Sequence, residues 1–157
     1  MKNNQIAKAI LSFSLVTLVS SCSISMLKDE PFNLNNLSEN FDAPKATLLK
    51  SVTEFNLFLN DEKIFTKEPT KKFVEVNSKY DETYFLKADL IALIIQASSG
   101  MIEGYSLNGI EKDKSTYVID LKAISSSNIT SDDMGRYFCY YLEVAKDVNM
   151  IGATIKY

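Results

Sequence analysis

The chain has 157 residues, a net charge of −3, two cysteines, no histidine and no tryptophan. Without histidine, Ser-His-Asp and Cys-His catalysis and His-containing zinc sites are excluded, and two cysteines are too few for an all-thiolate zinc site. An acidic chain whose one arginine is Arg136 lacks the cationic surface that phosphate recognition demands, so nucleic acid is not an expected partner.

In chain order, the first 21 residues carry the parts of an export signal. Lys2 and Lys8 make a positive end, and no acid precedes Asp29. Residues 9–19 are apolar over the length of a signal peptide and are short for a bilayer-spanning helix. The segment closes on Val19-Ser20-Ser21-Cys22, which resembles the bacterial lipobox. That resemblance implies cleavage between Ser21 and Cys22, a diacylglyceryl group on the Cys22 sulfur and acylation of the new amino group. One acyl chain holds a protein marginally, at about 0.8 kcal/mol per buried methylene, whereas two or three hold it stably. Ser23, in place of an aspartate, implies the outer membrane with the domain facing the periplasm where the host has two membranes. Removing residues 1–21, with two lysines and no acid, takes the charge from −3 to −5. That charge argues against a polybasic grip on anionic headgroups. Acylation of Cys22 also leaves the domain without an internal disulfide.

Residues 22–43 read as the lipidated N-terminus and a tether, rich in Asn and Ser and without a sustained period. Residues 44–157 read as a single domain. Over residues 45–60, Leu48, Val52, Phe55 and Leu59 recur at helical spacing, with Leu49 and Phe58 widening the face; Phe55, Leu57 and Leu59 also fit strand alternation. Phe73, Val74 and Val76 mark residues 71–77 as a short strand after a turn at Pro69. Ser78 or Asp81 is the expected cap of a helix ending before Gly100, and only Lys87, Asp89 and Gln96 interrupt its apolar run over residues 84–97. Residues 101–110 and 115–121 read as a hairpin with a polar turn from Asn108-Gly109 through Lys114. The polar loop "SSSNITSDD" leads to an expected helix capped by Ser131, with Met134, Phe138, Tyr141, Ala145 and Val148 on its core face. Residues 149–157 read as a closing strand. The order predicts an α+β fold: a small, mostly antiparallel sheet with two or three helices packed on one face.

From Lys87 onward the expected order of helix, hairpin, helix and strand resembles the BON domain of bacterial envelope proteins. The residues that carry the likeness are "YVIDLKAI" and the Ala145-x-x-Val148 lead into "IGATIKY". Lys122 and Met150 stand where that family usually shows glycine. The resemblance implies attachment to phospholipid surfaces or to other envelope proteins.

No constellation for chemistry emerges beyond the anchor. Ser25-Met26-Leu27-Lys28 fits the S-x-x-K pattern of penicillin-binding enzymes, but no S-D-N or K-T-G follows it, so chance accounts for it. The acidic pairs Asp29-Glu30, Asp61-Glu62, Asp81-Glu82 and Asp132-Asp133 lack the spacing of a calcium loop and read as caps, turns or solvated faces. Cys139, three residues from Arg136, reads as a small filler at the edge of the packed face. Tyr140 falls off the helical core stripe and is the candidate partner contact. The expectation is a non-enzymatic, lipid-anchored cell-envelope protein that acts as a binding or assembly module. It needs no cofactor or metal and meets the membrane through the acyl chains on Cys22 and a second envelope protein through its surface. The alternative is a periplasmic binder of lipid or another apolar ligand held between sheet and helices.

Overall fold

A computed structural model of the chain describes residues 24–27, 43–61, 71–97, 101–125 and 137–156. In chain order the elements are β1 (Ile24–Leu27), β2 (Lys45–Leu49), α1 (Val52–Leu59), α2 (Lys71–Asn77), α3 (Glu82–Phe85), β3 (Ala88–Gln96), β4 (Ile102–Asp113), β5 (Thr116–Ser125), β6 (Tyr137–Ala145) and β7 (Gly152–Lys156). The fold is α+β and mostly antiparallel, as expected. One sheet has the strand order β1-β6-β3-β2, with every pair antiparallel; the other has the order β4-β5-β7, in which only β5 and β7 run parallel.

The interior strand β3 explains the layering. Its sequence "ADLIALIIQ" is apolar at almost every position, and both faces are covered. Leu90, Ala92 and Ile94 point to the helices, where they meet Phe55 and Phe58 of α1, Val76 of α2 and Phe85 of α3. Ile91, Leu93 and Ile95 point the other way, into Tyr105, Tyr117, Ile119 and Leu121 of the second sheet. The molecule is therefore three layers thick: helices, first sheet, second sheet. The three helices among the described residues lie on one face of the first sheet, and the second sheet covers its opposite face, a layer that the expected single sheet with helices on one face lacks. At the rim, β7 lies beside β2, so the two sheets approach along one edge.

Local sequence sets the helix starts. Ser51 caps α1 by accepting from the Glu54 N–H at 3.2 Å, and Glu54 Oε2 accepts from the Lys50 N–H at 2.7 Å. This reciprocal Ser-x-x-Glu arrangement is close to a capping box and splits the expected helix over residues 45–60 into a strand and a shorter helix. Asp81, one of the two expected caps, accepts from the Tyr84 N–H at 2.8 Å and starts the single turn of α3.

Four expectations are corrected. The expected helix over residues 84–97 is mainly strand β3, because a run buried on both sides has no periodicity with which to declare itself. The helix expected from Ser131 through Val148 is strand β6 from Tyr137 to Ala145, where "YFCYYLEVA" carries the aromatic bias of strands; Ser131 and Met134 lie outside the described residues. The strand expected over residues 71–77 is helix α2, since its β-branched valines carry only a weak preference that packing of Val76 on the helical side overrides. The hairpin and closing strand are present, but the turn falls at Lys114-Ser115, with Asp113 opposite Thr116, and Asn108-Gly109 marks a register shift inside β4. As a result, the order of helix, hairpin, helix and strand behind the BON-domain resemblance is not the order this chain adopts.

The first described residues fall within the segment read as a tether. Ile24–Leu27 pair with β6 as an edge strand, Ile24 opposite Leu142 and Leu27 opposite Cys139. The folded sheet thus reaches upstream to two residues from Cys22.

Candidate functional site

Strand registers gather several connections at one end of the sandwich. Ala88 lies opposite Ala145, and Leu49 lies opposite Leu90. The turn after β2, the turn before β3 and the loop after β6 therefore share that end. The Lys114-Ser115 turn joins them, because the Ile151 N–H donates to the Ser115 carbonyl at 2.8 Å. The start of β1 is there as well.

A polar clasp closes this end. Asp89 is fully buried, and a carboxylate in such a place must be paired. Its Oδ1 lies 2.8 Å from Lys146 Nζ, as an ion pair without hydrogen-bond alignment, and its Oδ2 accepts from the Asp147 N–H at 3.1 Å. Lys146 Nζ also donates to the Lys50 carbonyl at 2.9 Å. In return Lys50 Nζ donates to the carbonyls of Asp147 at 2.9 Å and Met150 at 2.8 Å. From the second sheet, Lys112 Nζ reaches Asp147 Oδ2 at 2.7 Å, and the Asn149 N–H donates to Asp147 Oδ1 at 2.9 Å. The loop after β6 is thus pinned from both sheets. These amines and carboxylates are directed at one another and at backbone groups, an arrangement that fixes a loop and presents no nucleophile–base pair.

The Asp147 carboxyl is held below its ordinary value of 3.8, first by the Lys112 hydrogen bond and then by the Asn149 N–H. A lowered folded-state value means that its contribution to stability is present above 3.8 and is lost as pH falls through the lower folded value. We expect an NMR carboxyl titration of Asp147 to show a midpoint below 3.8, and Lys112→Met to move it upward. An unmoved midpoint would mean that the Lys112 contact does not set it.

The sequence-predicted residues fare unevenly. Cys22 and Ser21, the lipidation and cleavage positions, lie outside the described residues, as do Arg136 and the pairs Asp29-Glu30 and Asp132-Asp133. Tyr140, the candidate partner contact, is corrected: it is 1% exposed and lies between the two sheets. The helical wheel placed it outside, but strand alternation sends Phe138, Tyr140 and Leu142 together toward the second sheet. Its hydroxyl accepts from the Tyr105 N–H at 2.7 Å. Cys139 is fully buried on the helical side, in line with the filler reading. In a Cys22→Ser chain, a thiol reagent should label Cys139 slowly in the folded protein and rapidly in denaturant; equal rates would place the thiol at the surface.

The space between helices and first sheet, where the alternative reading put an apolar ligand, is filled by the chain's own rings. Tyr80 packs edge-on against Phe55 at 5.2 Å, Tyr141 at 5.3 Å and Tyr84 at 4.9 Å between centroids. Burial, and then the nearby Glu143 carboxylate, push the Tyr80 hydroxyl far above the usual tyrosine range. Among the described residues, no group of three or more His, Cys, Asp or Glu side chains could hold a metal ion.

The clasp was missed in the sequence because its members are far apart, from Lys50 to Asp147. One signal was available: Asp89 is the lone carboxylate in a nine-residue apolar run. Compared with known proteins, the chain matches no family model, no curated protein and no solved structure.

Proposed function

We propose that this protein is a lipid-anchored component of a bacterial cell envelope whose domain is a non-catalytic binding or assembly module. The observation that carries the reading is the run Val19-Ser20-Ser21-Cys22 after a basic end and an apolar stretch. Acyl chains on Cys22 supply the membrane attachment, and a second envelope protein is the expected partner. In a two-membrane host the domain faces the periplasm from the outer membrane. A domain whose described charged groups at one end are tied into a clasp supports a role in holding and presenting surfaces. The ring-filled space between helices and sheet favours this over the apolar-ligand alternative.

In-cell crosslinking of the full-length chain, followed by mass spectrometry, tests it, with Cys22→Ala as control. The expected result is one dominant envelope protein whose recovery depends on Cys22. Equal recovery with and without Cys22, or co-purifying lipid with no enriched protein, would overturn the assembly reading.

A further inference from the structure

The clasped end of the domain carries the three most exposed large apolar side chains among the described residues. Leu86, Val148 and Ile151 are each 78% exposed. They sit on separate connections: Leu86 just before β3, and Val148 and Ile151 in the loop after β6. The connections are tied to one another, since the Lys146 N–H donates to the Lys87 carbonyl and Lys50 Nζ holds the carbonyls of Asp147 and Met150 on either side of Val148. The apolar tips are therefore held outward by a fixed frame.

The start of β1 brings this end to the anchor. Ile24 is paired opposite Leu142, near the end of β6 from which the Val148 loop departs. Cys22 is two residues upstream, and two residues span at most about 7 Å whatever path they take. Acyl chains on Cys22 would thus enter a bilayer beside the same end of the sandwich. With so short a leash the surface that meets the lipid is decided by where β1 begins.

We propose that this end docks on the bilayer that holds the acyl chains, with Leu86, Val148 and Ile151 entering the interfacial region. The inference rests on the lipid-anchor reading and adds the orientation of the domain. Exposed Lys87 and Lys114 share the end with exposed Glu54 and Asp113, so the charges balance, the contact is apolar in character and it does not select anionic lipid. Docked in this way, the domain turns its opposite end, with Met101 and the last residue of β5, Ser125, toward a partner.

The test uses the mature acylated chain, purified from cells and placed in phosphatidylcholine vesicles containing a nitroxide lipid. Leu86→Cys, Val148→Cys and Ile151→Cys variants each carry an environment-sensitive dye, with Met101→Cys as the far-end control; buried Cys139 stays unlabelled. The expected result is emission quenched at least about twofold more at the three tips than at Met101, unchanged when anionic lipid is added. Equal quenching at all four positions, in protein that floats with the vesicles and carries acyl groups on its Cys22 peptide, would overturn the orientation and leave the anchor standing. A Cys22 peptide without acyl groups would remove both. A blue shift that grows with protein concentration in the absence of lipid would assign the tips to a second copy and overturn the bilayer as their occupant.

Discussion

Replacing Tyr140 with alanine will lower the stability of the fold by about 3–4 kcal/mol, because it removes a whole ring from a packed interior. The ring stands between the two sheets, 1% exposed, stacked near Phe138 at 6.3 Å and in the same cluster as Tyr105, Leu142 and Val144. Its described neighbours in that cluster are themselves buried, so no surface side chain among them can swing in to close the gap. The loss also orphans the Tyr105 N–H, whose partner at 2.7 Å is the Tyr140 hydroxyl. For a domain of this size the melting temperature should fall on the order of 15 °C. Tyr140→Phe separates the two contributions: it keeps the ring, strands the buried donor, and should cost about 1–2 kcal/mol. Thermal unfolding of the two variants beside the parent chain is the measurement. A Tyr140→Ala protein as stable as the parent would mean that Tyr140 is not an inter-sheet residue. A weakened partner complex in that variant would report a loosened fold and not a lost surface contact.

The same residue shows what was legible in the sequence. The pattern "YFCYYLEVA" satisfies a helical stripe through Phe138, Tyr141 and Ala145 and equally satisfies a strand buried on both faces. Only tertiary covering distinguishes them, and that covering comes from β4 and β5 on one side and the helices on the other. β3 repeats the problem: "ADLIALIIQ" has no polar face to reveal its period. In β5 the less buried side leaves the strand period legible. β5 places Tyr117, Ile119 and Leu121 inward with less buried residues between them, and the hairpin with β4 was recognised from that alternation. Asp81, expected as a cap alongside Ser78, is legible because its chemistry is local, although it starts a single turn and not the longer helix expected; Ser51-Val52-Thr53-Glu54 offers an equally local signal that helical spacing across it obscures. Tyr140 was misplaced as a consequence of the wrong period, since each residue's side follows from the element assigned to it. The clasp could not be read as a set, because Lys50, Lys112 and Lys146 look like ordinary surface lysines until the registers of β2, β3 and β6 in one sheet and of β4, β5 and β7 in the other bring their backbones to one end.

Removing the Asp89 carboxylate will be the second costly change, at about 3 kcal/mol for Asp89→Ala, because breaking a buried ion pair leaves its partners without compensation. Two groups lose a partner at once: Lys146 Nζ loses its counter-charge at 2.8 Å, and the Asp147 N–H loses its acceptor at 3.1 Å. The Lys146 side chain is 30% exposed and reaches water in part, which holds the cost near the lower end for such pairs. Asp89→Asn keeps an acceptor for the Asp147 N–H and should lose about half as much. A double-mutant cycle with Lys146→Met isolates the pair; the double variant should be at least about 1 kcal/mol more stable than additivity predicts, since the lysine no longer faces an empty place. Strict additivity would mean that Asp89 and Lys146 act independently. Amide hydrogen exchange on the same variants adds the spatial reading. Asn149 and Ile151, whose N–H groups are held by Asp147 and Ser115, should exchange faster in Asp89→Ala, while Ile119 at the centre of β5 should lose protection only in step with global stability. Faster exchange confined to the loop would show that one buried carboxylate, reached through Lys146 and the Asp147 backbone, sets how firmly Val148 and Ile151 are presented.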